Sequence, residues 1–121
     1  MNFESDRIES QLPLKPVVFH ILLALAEQSA HGYGVIRSVR KRSDGRIHLQ
    51  TGAFYRHLKR LLDDGLVVEA GDAPPGDDPR RGSYYRLTDL GLAVVQAERQ
   101  RMARLVASTK SLGALQDEGP A

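Results

Sequence analysis

The groups in this sequence best placed to do chemistry are three cations on one helical face. Arg56, Lys59 and Arg60 lie in TGAFYRHLKRLLDDGLV, residues 51–67. In that stretch Phe54, Leu58, Leu61 and Leu62 follow the i, i+4, i+7, i+8 rule of a buried helical face. Gly52, Arg56, Lys59, Arg60 and Asp63 then share the opposite face. Guanidinium and ammonium groups donate without accepting, which suits phosphate oxygens and the acceptor edges of bases. A further pair, Arg80 and Arg81, stands beside Gly82 at the edge of a stretch of turn formers. The charge is also concentrated. Between Arg37 and Arg60 eight positive residues (Arg37, Arg40, Lys41, Arg42, Arg46, Arg56, Lys59, Arg60) face one acid, Asp44, giving +7. The whole chain is only +2, so the remainder carries −5. A basic block in an otherwise acidic chain is the footprint of a polyanion-binding surface. The plainer reading of such a run is a solvated helix face.

Other chemistries find little support. There is no cysteine, which excludes disulfides, thiolate metal sites and cysteine nucleophiles and fits a reducing compartment. His20, His31, His48 and His57 fall on different elements with no i, i+3 or i, i+4 pair, so neither a metal nor another cofactor is expected. No phosphate-cradling glycine motif, nucleophile–base arrangement or carboxylate pair in a recognisable context is present, so an enzyme is not expected. Residues 1–11 are polar and acidic, unlike a secretory signal. The most apolar run, Val17 to Ala26, contains His20 and is far short of the ~20 residues that span a bilayer. A soluble, cytoplasmic protein without a membrane partner is expected. With 121 residues the chain is one domain, small enough to gain from burial against a second subunit.

The elements that must position the cations follow from periodicity and punctuation. A first helix is predicted over Leu14–Glu27, with Pro13 and Pro16 tolerable only at its start. It is apolar almost all round, so it must touch both its own core and something else. Ser29-Ala30-His31-Gly32 breaks the pattern, and a second helix runs from about Tyr33 to Arg42, with Val35, Ile36 and Val39 inside. Ser43-Asp44-Gly45 reads as its stop, with Gly45 suited to a left-handed cap. Thr51 is expected to cap a third helix, Gly52–Asp64. Leu66–Glu69 and Ser83–Leu87 read as two strands of a hairpin, joined by the Pro- and Asp-rich stretch 71–82. Tyr84 and Tyr85 alternate along the second strand, so one should be buried and the other exposed. Thr88 and Asp89 open a long helix whose Val95, Met102, Leu105, Val106, Thr109 and Leu112 form a roughly heptad stripe, the mark of packing on a partner helix.

Helix, helix, helix, strand, loop, strand, helix, with a basic outer face on the third helix, is the order of a winged helix-turn-helix. The fold class expected is therefore mainly α with a small β-hairpin, flanked by N- and C-terminal dimerisation helices. Residues 1–12 are expected as a disordered arm, 13–88 as the winged helix-turn-helix, 89–112 as the dimerisation helix and 113–121 as a disordered tail. HGYGVIRSVRK (31–41), TGAFYRHLKRLLDDGLV (51–67) and RRGSYYRLTDLG (80–91), in that order and at fitting distances, resemble the PadR family of bacterial transcriptional regulators. The resemblance covers about Leu14 to Lys110. It implies a homodimer on a pseudo-palindromic operator, a repressor in most members, released in some by a small-molecule effector. A single C-terminal helix corresponds to the short-tailed members. The chain departs from the drug-binding members in having no tryptophan.

The residues expected at double-stranded DNA are Thr51, Gly52, Tyr55, Arg56, Lys59, Arg60, Arg80 and Arg81. Tyr55, at the border of the buried face, is open to core packing or to a phosphate hydrogen bond, and Tyr33 is expected to pack at the helix junction. Dimerisation is expected through Phe19, Leu22, Val95, Met102, Leu105, Thr109 and Leu112. The alternative is a winged-helix protein-interaction module, for which a neutral or apolar outer face on the third helix would be expected.

Overall fold

Proline fixes where the first long helix starts. In the computed structural model, which describes residues 3–28, 30–71 and 83–113, α2 (Pro16–Glu27) has proline at its first position. Leu14 and Lys15 therefore precede the helix, because the residue before a proline is driven out of helical geometry. Upstream, α1 (Phe3–Gln11) is a helix where a disordered arm was expected. It has too few apolar residues to show a periodicity, but it packs along α5 and half-buries Ile8 there.

Chain order continues as β1 (Ala30–His31), α3 (Gly32–Arg42), α4 (Thr51–Asp63), β2 (Val67–Gly71), β3 (Tyr84–Leu87) and α5 (Asp89–Ala107), followed by a 3-10 turn at Lys110–Leu112. The last helix thus stops short of residue 112. Gln50, not Thr51, is the N-cap of α4, and Thr51 is its first residue. The expected hairpin is a three-stranded antiparallel sheet in the order β1-β3-β2. β1 was missed because two residues carry no alternation; pairing of Ala30 with Tyr85 and of His31 with Tyr84 defines it. Central placement of β3 also explains why Tyr84 and Tyr85 are both buried. Tyr85 joins the core, while Tyr84 receives the edge of the His31 ring at 5.4 Å. The Pro- and Asp-rich stretch with Arg80 and Arg81, and the tail beyond Gly113, lie outside the described residues.

One core unites these elements. Ile21, Leu22 and Leu25 from α2, Val35 and Val39 from α3, and Phe54, Leu58 and Leu61 from α4 meet Leu66, Val67, Tyr85, Val94 and Val95. Each large side chain so buried contributes ~1.5–3 kcal/mol. Leu22 and Val95 are therefore core residues of the single chain, which corrects their expected place in a seam between two chains. An apolar stripe shows that a face is covered and leaves open by what.

Thr88 joins the end of α4 to the start of α5. Its hydroxyl accepts from the Gly91 amide at 3.0 Å and donates to the Gly65 carbonyl at 2.6 Å, while its own N–H reaches the Leu66 carbonyl at 3.1 Å. Gly91 lies so close to the Leu66 carbonyl that a Cβ there would collide with backbone.

Further along α5 a carboxylate lies inside the fold. Glu98 is fully buried; it sits three and four residues after Val95 and Val94, on the inner stripe. Its carboxylate accepts from the Leu14 amide at 2.7 Å, just before α2, and from the Arg101 guanidinium one turn on. Burial acts to raise its pKa, but Arg101 and the Leu14 amide outweigh it and hold the carboxyl below its usual range. Replacing Glu98 by leucine strands the Leu14 amide and is expected to cost ~1–3 kcal/mol. A depressed carboxyl pKa stabilises the fold above the unfolded value near 4.5 and loses that effect as pH falls through the folded value. The stability gap between the native chain and Glu98→Gln, followed by denaturant titration, should therefore narrow as the pH is lowered below that point.

Candidate nucleic-acid interface

The α3–α4 pair is held close by small residues and turn geometry. His31 ends β1 and caps α3: its Nδ1 accepts from the Gly34 amide at 3.0 Å, which puts any proton of the neutral ring on Nε2. Gly32 follows because a Cβ there would sit 2.9 Å from Cε2 of Phe54 and 3.0 Å from the Tyr55 hydroxyl. At the far end of α3, Asp44 and Gly45 both adopt positive φ (54° and 75°), and the Gly45 amide returns to the Arg40 carbonyl at 2.8 Å. The Ser43 hydroxyl accepts from the Ile47 amide at 3.0 Å and so steers the chain away from α3. This is the left-handed stop expected from Ser43-Asp44-Gly45.

With Phe54, Leu58 and Leu61 inside, α4 turns its cations outward. Thr51, Gly52, Tyr55, Arg56, Lys59 and Arg60 are all exposed. The Arg56 guanidinium runs back along the helix, its Nη1 within 3.6 Å of where a Gly52 Cβ would lie. Gly52 thus leaves open surface beside a bidentate donor. Tyr55 packs on the core on one side and stays open on the other. Its ring meets Phe54 edge-on at 5.0 Å, yet half of the residue is solvent-accessible.

Tyr33 departs from expectation. It is 63% exposed instead of packed into the junction. Its ring stacks parallel to His31 with centroids 6.4 Å apart, and the Arg37 guanidinium lies 5.5 Å above it. The start of α3 therefore presents a hydroxyl-bearing aromatic ring and a cation to solvent. Tyr33 stands one turn before exposed Arg37 and opposite the inner pair Val35 and Val39, a position the helical period already gives it. Arg42, counted in the basic block, is engaged by Glu27 at the end of α2 in an exposed ion pair of small energetic consequence.

Of the residues expected in a seam, Phe19 and Met102 are half-buried and Leu105, Thr109 and Leu112 are exposed. Phe19 and Leu23 of α2 and Met102, Ala103 and Val106 of α5 line an open groove of about 600 Å³, to which α4 contributes no lining residue. No group of three or more metal-ligating side chains occurs among the described residues.

The transcriptional regulator PadR-like family matches residues 21–97. Solved structures show the same fold. A PadR-like transcriptional regulator from Bacillus cereus superposes with a TM-score of 0.66 at 19% identity, over 88% of this chain and 95% of that one. A PadR family transcription regulator from Clostridium difficile gives 0.64 at 21% identity, over 81% and 98%. A PadR-like transcription factor from Bacteroides fragilis gives 0.64 at 22%, over 87% and 97%. No curated protein sequence matches the chain.

Arg56 tests the face directly. Arg56→Ala is expected to weaken binding to duplex DNA by ~1–3 kcal/mol and to relax sequence preference, as loss of a base-reading side chain does. Selection from a random duplex pool with the native and variant chains measures both. Unchanged affinity and preference would reassign the face.

Proposed function

The chain belongs to the PadR-like family of transcriptional regulators, DNA-binding proteins and not enzymes, and from that premise we propose a sequence-specific repressor. It acts in the cytoplasm as a homodimer on a pseudo-palindromic operator and is released by a small-molecule effector. The observation that carries the DNA-reading part is the outward face of α4, where Arg56, Lys59 and Arg60 stand with Thr51, Gly52 and Tyr55 around a rigid, core-packed helix. Such a helix placed in the major groove offers donors to base edges, while α3 crosses the backbone. Tyr33 and Arg37 then face phosphate. Arg80 and Arg81 supply backbone or minor-groove contacts that raise affinity more than they choose sequence. Among the described residues no helix is long and apolar enough to cross a membrane.

The homodimer reading draws support from the outer sides of α2 and α5. Leu105 and Val106 are 57% and 69% exposed, and Leu112 is exposed too. Val106 also lines the groove with Phe19 and Met102. A single chain leaves this apolar strip in water, and a second copy related by a two-fold axis covers it with itself. Two chains so joined present two α4 helices to half-sites about one helical turn apart.

Two measurements test this reading. Leu105→Asp puts a charge into the seam and is expected to give the monomer mass by light scattering; a dimer mass with undiminished stability would overturn the seam. Duplex affinity is expected to fall steeply with salt, and replacing Arg80 and Arg81 together by alanine should flatten the log–log slope by up to ~0.9 per lost phosphate contact. A salt-independent interaction would favour a protein-interaction module instead.

A further inference from the structure

The cationic face of α4 has a second side. Where α4 turns toward the end of α1 and the start of α2, a cleft of about 460 Å³ opens. That volume lies within the ~300–1,000 Å³ of small-molecule sites. Its polar lining includes Lys15, Arg56, His57, Arg60 and Asp64. Three permanent cations against one carboxylate leave two positive charges in excess. Burial first, then Lys15 and Arg56 beside it, hold the His57 imidazole below its usual pKa, so it is neutral near pH 7 and adds a hydrogen-bonding group without adding charge. Asp64 accepts only a long 3.5 Å hydrogen bond from the Gln11 amide. Lys15 is the N-cap of α2, and no side chain caps that helix, so the positive end of its dipole adds to the same potential. Leu14, Val18 and Leu61 give the cleft an apolar wall.

We propose that this cleft binds a small dianionic oxyanion, inorganic phosphate or the phosphate group of a small monoester. The two-charge excess matches a dianion better than the singly charged phosphodiester of DNA. The apolar wall accommodates a compact organic body. Arg56 and Arg60 belong both to this cleft and to the DNA-reading face, and one guanidinium cannot satisfy both anions fully. Ligand in the cleft therefore competes with DNA. This rests on the regulator reading above and gives its effector a site and a chemical class. If the competition is strict, ligand at 100 times its Kd lowers duplex affinity by up to ~100-fold.

The test uses the full chain, inorganic phosphate as probe at mildly alkaline pH, and chloride exchanged for phosphate at constant ionic strength. Imidazole NMR resonances follow the cleft, and fluorescence anisotropy of a labelled duplex chosen by random-pool selection follows DNA. The expected result is a saturable shift of His57 without one at the exposed His48, with a parallel loss of duplex affinity. Lys15→Gln, outside the α4 outer face, should keep duplex affinity and lose both responses. A non-saturating drift, equal at His48 and unchanged in Lys15→Gln, would overturn the site. Loss of duplex affinity in Lys15→Gln with no His57 response to phosphate would assign the cleft to the DNA backbone and overturn it equally. A saturable His57 shift in a chain that binds no duplex would uphold the anion site and sink the regulator reading instead.

Discussion

A carboxylate taken wholly out of water costs several kcal/mol unless its partners are placed to answer it, and in this fold the rest of the architecture is arranged around one such group. Glu98 projects inward from the middle of α5 and finds the Leu14 amide and the Arg101 guanidinium. A rotation or one-residue slip of α5 would strand the charge, so the register of the helix is specified far more sharply than apolar contacts alone would specify it. From that register follow the outer position of Met102, Leu105 and Val106 and the inner position of Val94 and Val95. Because the partner is Leu14, the same contact sets where α2 begins relative to α5. The chain before it, α1 and the connector to Pro16, is laid along α5 as a consequence.

The cationic face is held by a comparable chain of constraints. Thr88 binds the end of α4 to the beginning of α5, and Gly91 lets α5 approach the Leu66 backbone without a Cβ between them. Arg7 of α1 lies over Gly65, 3.2 Å from where a Cβ would be, placing a cation at the negative end of the α4 dipole. The cationic helix is thus tied at its C-terminal end to α5, which carries part of the outer apolar strip, and to α1. The cleft at Lys15 and His57 shares Arg56 and Arg60 with that cationic helix.

Legibility varied with the length of the signal. α4 was plain because four apolar residues recur over nine positions, and a face so fixed leaves its cations only one way to point. The Thr88 cap and the Gly45 stop were also local, since a side-chain oxygen or a left-handed residue acts within a few residues of where it stands. α1 was not legible: one half-buried isoleucine shows no period, and its helix exists because α5 offers a surface. β1 exists only through pairing with β3, more than fifty residues later. Glu98 could have been suspected from its place on the Val94–Val95 stripe. A carboxylate beside arginines in a helix is nevertheless a solvent-exposed pair in most contexts.

The sequence by itself determined the type of every element except α1 and β1, the outward direction of the α4 cations, the caps that start α5 and end α3, and the PadR-like order of motifs. Apart from the order of motifs, these rest on residues close to one another along the chain. Tertiary structure alone decided that Leu22 and Val95 are enclosed while Leu105, Val106 and Leu112 stay open. It also decided that Tyr33 stacks on buried His31, and that Lys15, Arg56, Arg60 and His57 share one cleft. Periodicity reports that a face must be covered or must carry charge. Which body covers it, and which distant groups it meets, depends on contacts between segments tens of residues apart, and no local pattern encodes them.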